Sequence, residues 1–270
     1  MNTRFTQIIA AYVPSKSSKI ALKHAIDLSQ RFDAKLTILN VNPQDSNEGQ
    51  VQKDIDEIIG DSNAHYGFVE KVGKPYTEIL ALEKALNADL IVMGTHGSKE
   101  ADPNWIGSNS FKVLSSSTCP VLILPPYREN IGIKNIVLPV SDSSETRQKV
   151  PLSVSLASIY GAKIHIVHEN KEEQPEVINK LRIYVNQIKK YCDDRNVEYE
   201  VEQSNNKNIS DACIEYADKV DADLITIMSE RESPTGYFMG HYAQELVNKT
   251  RTPILTIHVV EATLLGDAGY

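Results

Sequence analysis

The sequence states the same series of segments twice. AKLTILN at 34–40 returns as AKIHIVH at 162–168, ADLI at 88–91 returns at 222–225, and CPVLIL at 119–124 returns as TPILTI at 252–257. The opening QIIAAYV at 7–13 has its counterpart in NIVLPVS at 135–141. Segments repeated in the same order along a chain mean two copies of one folding unit. The seam is PPYRENIGIK at 125–134, a short linker containing proline, so the copies pack closely. The reading is two domains, 1–128 and 133–260.

Within the first copy, strand and helix patterns alternate. Gln7–Val13 and Lys35–Val41 are apolar runs, and Tyr66–Val72 is a third strand stopped at Gly73. Between the first two, Ala21, Ala25, Leu28 and Phe32 recur at helical spacing, with Ser17 or Ser18 available as a cap. Val51, Ile55 and Ile58 mark a short helix. Pro75 opens another, with Ile79, Leu82 and Leu86 as its buried stripe. In the second copy Ile178, Leu181, Val185, Ile188 and Cys192 mark a longer helix. Alternation of this kind gives an α/β class, two tandem units each with a parallel sheet covered on both faces by right-handed crossovers.

The chemistry gathers at 88–125. Leu90–Met93 is a buried strand that ends at Gly94, with Gly97 three residues on. After Ser98–Ile106, Gly107-Ser108 opens a helix that Cys119-Pro120 closes off. Glycines after a strand let an anion approach the main chain, and a helix N-terminus offers unpaired N–H groups and a favourable dipole. The hydroxyls of Ser108 and Ser110 add donors. Taken singly, Ser108 is an ordinary cap and the glycines are turns. Together on a strand–loop–helix frame they indicate phosphate binding.

Composition removes several classes of function. A net charge of −8 argues against nucleic acid or anionic membrane as a partner, and it is uneven. Residues 1–128 hold 13 Lys+Arg against 14 Asp+Glu, while the remainder holds 15 against 22. No apolar run approaches the roughly 18 residues of a membrane span, and the first residues lack a signal-peptide layout. Cys119, Cys192 and Cys213 are scattered without metal spacing and read as buried thiols of a cytoplasmic protein. There is no P-loop, no G-x-S-x-G and no H-E-x-x-H. His165 and His168 fall on opposite faces of one strand, so no metal site is expected. Trp105 and Phe111 read as packing residues, and Lys16 and Lys74 as surface lysines within reach of the loop.

The motif Gly94-x2-Gly97-x9-Gly107-Ser108 resembles the ATP-binding signature of the universal stress protein family, and the likeness extends to the first strand, the A-D-L-I strand and the C/T-P-V/I-L-x-I close. The resemblance implies a tandem, two-domain member: two tandem doubly wound units, each a five-stranded parallel sheet flanked by helices, packed as a pseudo-two-fold pair. Its last strands, Val121–Leu124 and Ile254–Ile257, are then expected near each other, because a fused copy satisfies the edge pairing that separate subunits would otherwise make. The resemblance also implies ATP or AMP, with or without Mg, held by Val13, Val41, Gly94, Gly97, Gly107, Ser108, Asn109 and Ser110. One departure is plain: the family places Asp where this chain has Val13. The second copy departs further. There Met228 stands opposite Gly94 and Arg231 opposite Gly97; Gly240 matches Gly107, and His241 replaces Ser108.

The resulting expectation is a nucleotide-binding stress-response regulatory protein acting through its first domain, with the second a degenerate partner. It forms an internal pseudo-dimer, with a homodimer and unknown protein partners left open. No positioned base with an orienting partner is evident, so no catalytic residue is assigned; His96 and Asp102 are the candidates for assisting slow hydrolysis. The alternatives are a ligand-free interaction module and an α/β enzyme acting on another phosphorylated metabolite.

Overall fold

Ten strands form one sheet in the order β3-β2-β1-β4-β5-β10-β9-β6-β7-β8. The computed structural model describes residues 4–42, 48–60, 62, 64–95, 106–169, 174–204, 208–229 and 241–259. In the first half the strands are β1 (Gln7–Tyr12), β2 (Lys35–Asn42), β3 (Tyr66–Val72), β4 (Leu90–Gly94) and β5 (Val121–Leu124). The second half has β6 (Asn135–Val140), β7 (Lys163–Glu169), β8 (Tyr199–Ser204), β9 (Leu224–Ser229) and β10 (Ile254–His258). Pairing within each half is parallel. The halves therefore give two five-stranded parallel sheets, joined edge to edge by the antiparallel pair β5–β10.

Helices cover both faces. On one lie α1 (Lys16–Phe32), α2 (Glu48–Ile59), α5 (Val150–Tyr160) and α6 (Pro175–Asp193). The other carries α3 (Pro75–Leu86), α4 (Ser108–Ser116), α7 (Ile209–Lys219) and α8 (His241–Lys249). The central strands β4, β5, β9 and β10 are buried on both sides, which is why they read as continuous apolar runs instead of alternating ones, while the edge strands β3 and β8 are partly exposed. Each apolar layer contains residues of both halves and continues through the seam.

The repeated ADLI segment owes its aspartate to a structural task. Asp89 Oδ2 accepts from the backbone N–H groups of Thr6 (2.7 Å) and Gln7 (3.0 Å), fixing the start of β1. Asp223 does the same for Lys134 (2.7 Å) and Asn135 (2.9 Å) at the start of β6. A carboxylate that accepts two backbone donors sets the register of the first strand against the fourth in each copy. Arg128, in the linker, also bonds Asp221 and Asp223 and so ties the seam to the second half.

Several local expectations change. Ser15 caps α1, its Oγ accepting from Ser18 N–H at 3.2 Å, because Ser15 is still extended where Ser17 and Ser18 are already helical. In α3 the inward stripe includes Glu83, 2% exposed, beside Ile79, while Leu82 and Leu86 are only half-buried. Glu83 Oε1 is satisfied by Thr118 N–H (2.6 Å), Thr118 Oγ1 (2.7 Å) and Cys119 N–H (2.9 Å). Ile178 lies on the exposed side of α6, apart from the buried Leu181, Val185, Ile188 and Cys192.

Candidate nucleotide-binding crevice

In the first half the chain leaves β1 towards β2 and β3 on one side, while β4 and β5 lie on the other. This reversal opens a crevice at the carboxyl ends of β1 and β4, the place where open α/β sheets bind ligands. Val13 and Gly94 stand on its two sides. Val13 follows β1 directly and is half-buried.

Gly94 is required here by packing. A Cβ on it would lie 2.5 Å from Ser17 Oγ and 2.8 Å from both Ser17 C and Ser18 N. The first turn of α1 thus rests on the end of β4, bringing the start of that helix into the crevice. The loop that follows β4 is held at both ends. Gly107 N–H donates to Thr95 O at 2.8 Å, and Ser110 Oγ donates to Gly94 O at 3.0 Å. Residues 96–105, with His96, Gly97, Asp102 and Trp105, lie outside the described residues.

Beyond Gly107, α4 begins without a side-chain cap. Phe111 N–H is the first to bond within the helix, to Gly107 O at 2.9 Å. The N–H groups of Ser108, Asn109 and Ser110 therefore have no intrahelical acceptor, and the side chains of Ser108 and Asn109 are exposed. These residues fit a phosphate group. Two expected donors are already engaged: the N–H of Gly107 and the hydroxyl of Ser110 serve the loop. Val41 is 4% exposed and belongs to the apolar layer under α3 and α4. Phe111 packs against the same layer.

The opposite face of these strand ends holds a feature the sequence did not signal. Tyr12 and Asn40 are register partners, 1% and 0% exposed. Asn40 Nδ2 donates to Tyr12 O at 2.9 Å and pins the end of β1 to β2. Tyr12 Oη and Asn40 Oδ1 are buried and have no hydrogen-bond partner among the described residues. Burial, assisted by Asp54 and Glu57, pushes the Tyr12 phenol up to about 12, so it stays protonated.

The second half is built differently at the same place. Met228, 6% exposed, takes the position of Gly94. Opposite it the chain forms a separate 3-10 turn, Ser144–Lys149, and regular helix begins only at Val150. A methionine side chain occupies the space that Gly94 leaves for a helix start. Arg231 and Gly240 lie outside the described residues, as does the side chain of His241. His165 is buried between Tyr216 and Asn135, while His168 bonds Glu169 O, so the pair does not converge on a metal. Among the described residues no group of three or more His, Cys, Asp or Glu is placed to hold one. No helix among them is long and apolar enough to cross a membrane.

Comparison with known proteins agrees with this architecture. The family model described as "Universal stress protein family" matches residues 4–125. Universal stress protein YxiE of Bacillus subtilis (strain 168) is 30% identical over 148 residues, 44% of this chain and 99% of that protein. Universal stress protein MJ0531 of Methanocaldococcus jannaschii is 28% identical over 134 residues, 42% of this chain and 79% of its own length. Among solved structures, a universal stress protein from Archaeoglobus fulgidus DSM 4304 superimposes with a TM-score of 0.74 at 15% identity, covering 93% of this chain and 98% of that one. A functionally unknown protein from Pseudomonas aeruginosa PAO1 gives 0.76 at 16%, covering 95% and 94%. At such identities the structures speak for the fold.

Proposed function

Because the chain belongs to the universal stress protein family, we propose that it is a nucleotide-binding stress-response regulatory protein that takes ATP or AMP in the crevice between β1 and β4. The observation that carries this reading is the uncapped start of α4, where three N–H groups without intrahelical acceptors face the end of the glycine-flanked loop. Recognition rests on the phosphate chain. With Val13 where a carboxylate would accept from the base or ribose, one charge-assisted hydrogen bond is missing, worth roughly 1.5–3 kcal/mol, or about ten- to a hundredfold in affinity.

Calorimetric titration with ATP, GTP and adenosine, with and without Mg, tests this. One site per chain is expected, with ATP and GTP binding alike and adenosine far more weakly. Val13→Asp should raise the preference for ATP over GTP. Adenosine binding as tightly as ATP would place recognition away from the phosphates and overturn the reading. A second reading, a ligand-free docking module, is favoured by the internal use of Gly107 N–H and Ser110 Oγ. It predicts no heat with any of the three ligands.

A further inference from the structure

The two halves differ at the turn that leads into their last strands, at the amino end of the sheet and away from the crevice. In the first half this turn is closed by a carboxylate. Glu83 of α3 accepts through Oε1 from Thr118 N–H (2.6 Å), Thr118 Oγ1 (2.7 Å) and Cys119 N–H (2.9 Å).

The repeat fixes the second-half counterparts. Ala88 N–H donates to Glu83 O at 3.0 Å, as Ala222 N–H donates to Ala217 O at 2.8 Å. Asn87 and Asp221, which precede these donors, are both left-handed with φ of 48°. Ile91 N–H donates to Pro120 O at 3.0 Å, as Ile225 N–H donates to Pro253 O at 2.9 Å. Glu83 therefore corresponds to Ala217, Thr118 to Arg251 and Cys119 to Thr252.

Alanine in place of glutamate withdraws the acceptor and leaves the donors. Thr252 N–H turns to Thr250 Oγ1 at 3.1 Å. The N–H of Arg251 has no acceptor among the described residues. Where Thr118 offers a hydroxyl, Arg251 offers a guanidinium. It lies over the Tyr127 ring, 5.4 Å from the centroid, and pairs with no carboxylate among the described residues.

A small residue where its counterpart is large also leaves space. A cavity of about 190 Å³ opens at this place, lined by Ala217, Arg251, Thr252 and the linker residues Tyr127 and Arg128. Arg128 gives both Nη atoms to Asp221 and Asp223, while its Nε is buried with no partner among the described residues. Two acids, Asp218 and Asp221, also line the cavity. Both are exposed, and Asp221 is already paired with Arg128. The carboxyl end of α7 disfavours an anion, yet α3 ends in the same way and Glu83 is held there.

We propose that this cavity binds a small aliphatic carboxylate, which takes the place of the Glu83 carboxylate that the second half lacks. The carboxylate accepts from the N–H and guanidinium of Arg251, a charge-assisted pairing, and its hydrocarbon part lies against Ala217 and Tyr127. Glutamate differs from alanine by a CH2–COO− unit, so acetate is the smallest ligand that restores the first-half arrangement.

The test is an NMR titration of the full chain, labelled with 15N at arginine, in a carboxylate-free buffer at constant ionic strength. Arg251→Lys identifies the Arg251 amide signal by deleting it while keeping the charge. Sodium acetate should move that signal saturably, and sodium chloride should not. Ala217→Glu supplies the carboxylate from within the chain. It should weaken the response to acetate at least tenfold and bring the Arg251 signal close to its acetate-saturated position. An Arg251 signal that acetate leaves unmoved, or that chloride moves equally, overturns the proposal whether or not Ala217→Glu folds. So does an undiminished response to acetate in folded Ala217→Glu. No nucleotide enters the titration, so its outcome is independent of whether ATP binds the first half.

Discussion

Leu122 of β5 and Leu255 of β10 face each other across the antiparallel strand pair, and each is the repeat counterpart of the other. Their neighbours Ile123 and Ile254 on one side, and Val121 and Thr256 on the other, complete a pairing centred on these two leucines. The pseudo-two-fold axis therefore passes between them. Both are buried in the same apolar layer. Leu122→Ala and Leu255→Ala should each cost about 2–4 kcal/mol in urea unfolding. The double variant should depart from additivity by about 0.5 kcal/mol or more, since the side chains share one packing site. Strict additivity would mean that the seam does not pack as described.

Gly94 separates fold from binding. Gly94→Ala places a methyl against the backbone of Ser17 and Ser18, which cannot yield as a side-chain tip would. The expected loss is about 1–3 kcal/mol of stability. Unfolding in denaturant without any ligand measures it. A stability equal to wild type would contradict the close approach of α1 to β4.

The two ADLI aspartates predict a graded pair. Asp89→Ala leaves the N–H groups of Thr6 and Gln7 without their acceptor. Asp223→Ala deprives Lys134 and Asn135 in the same way, and also removes a partner of Arg128, whose side chain is 18% exposed. The first should cost about 1–3 kcal/mol and the second more, because a half-buried cation is left less well paired. Equal losses in thermal unfolding would show that Arg128 adds nothing at the seam.

A pH dependence follows from two buried imidazoles. His258 bridges the halves, with Nε2 2.8 Å from Ser117 Oγ and Nδ1 2.7 Å from Ser229 Oγ, and it also feels the Glu83 carboxylate. His24 lies buried in α1. Burial lowers both from 6.5 to about 4. In the unfolded chain they take up protons near pH 6.5; in the native protein they do so only near pH 4. Their contribution is complete above pH 6.5 and is lost as pH falls from there to about 4, up to roughly 3 kcal/mol each. Chemical denaturation at pH 7.5 and pH 4.5 should show the loss, and His258→Gln should reduce it. An unchanged difference in that variant would assign the acid sensitivity elsewhere.

Much of the architecture was legible because the central strands are doubly buried and the repeat supplied a second copy of them. The run Leu90–Met93 and the motif at Pro120 could be assigned from their own residues. The pairing of the last strands was expected from the family resemblance, since a fused copy can supply the edge pairing that separate subunits would otherwise make. Contacts that depend on distant segments were not legible. Glu83 sits at a position of the α3 face where a charge is unexpected, and only the turn at Thr118 explains it. Gly94 carries a phosphate-loop signature, but the space a side chain there would need is taken by Ser17 Oγ and the backbone of Ser17 and Ser18 in α1. Nothing local in the sequence reveals that the turn Ser144–Lys149 packs over β6 and β9 and buries Lys149.

Joining the halves through β5 and β10 has a genetic consequence. In an assembly of two identical chains, any substitution is imposed on both members at once, so a site cannot be altered in one and preserved in the other. Here the partner is encoded downstream on the same chain, at fixed stoichiometry and regardless of dilution. Each copy can therefore accumulate its own changes while the other keeps the older arrangement. Gly94 in one half and Met228 in the other are the divergence that such linkage permits.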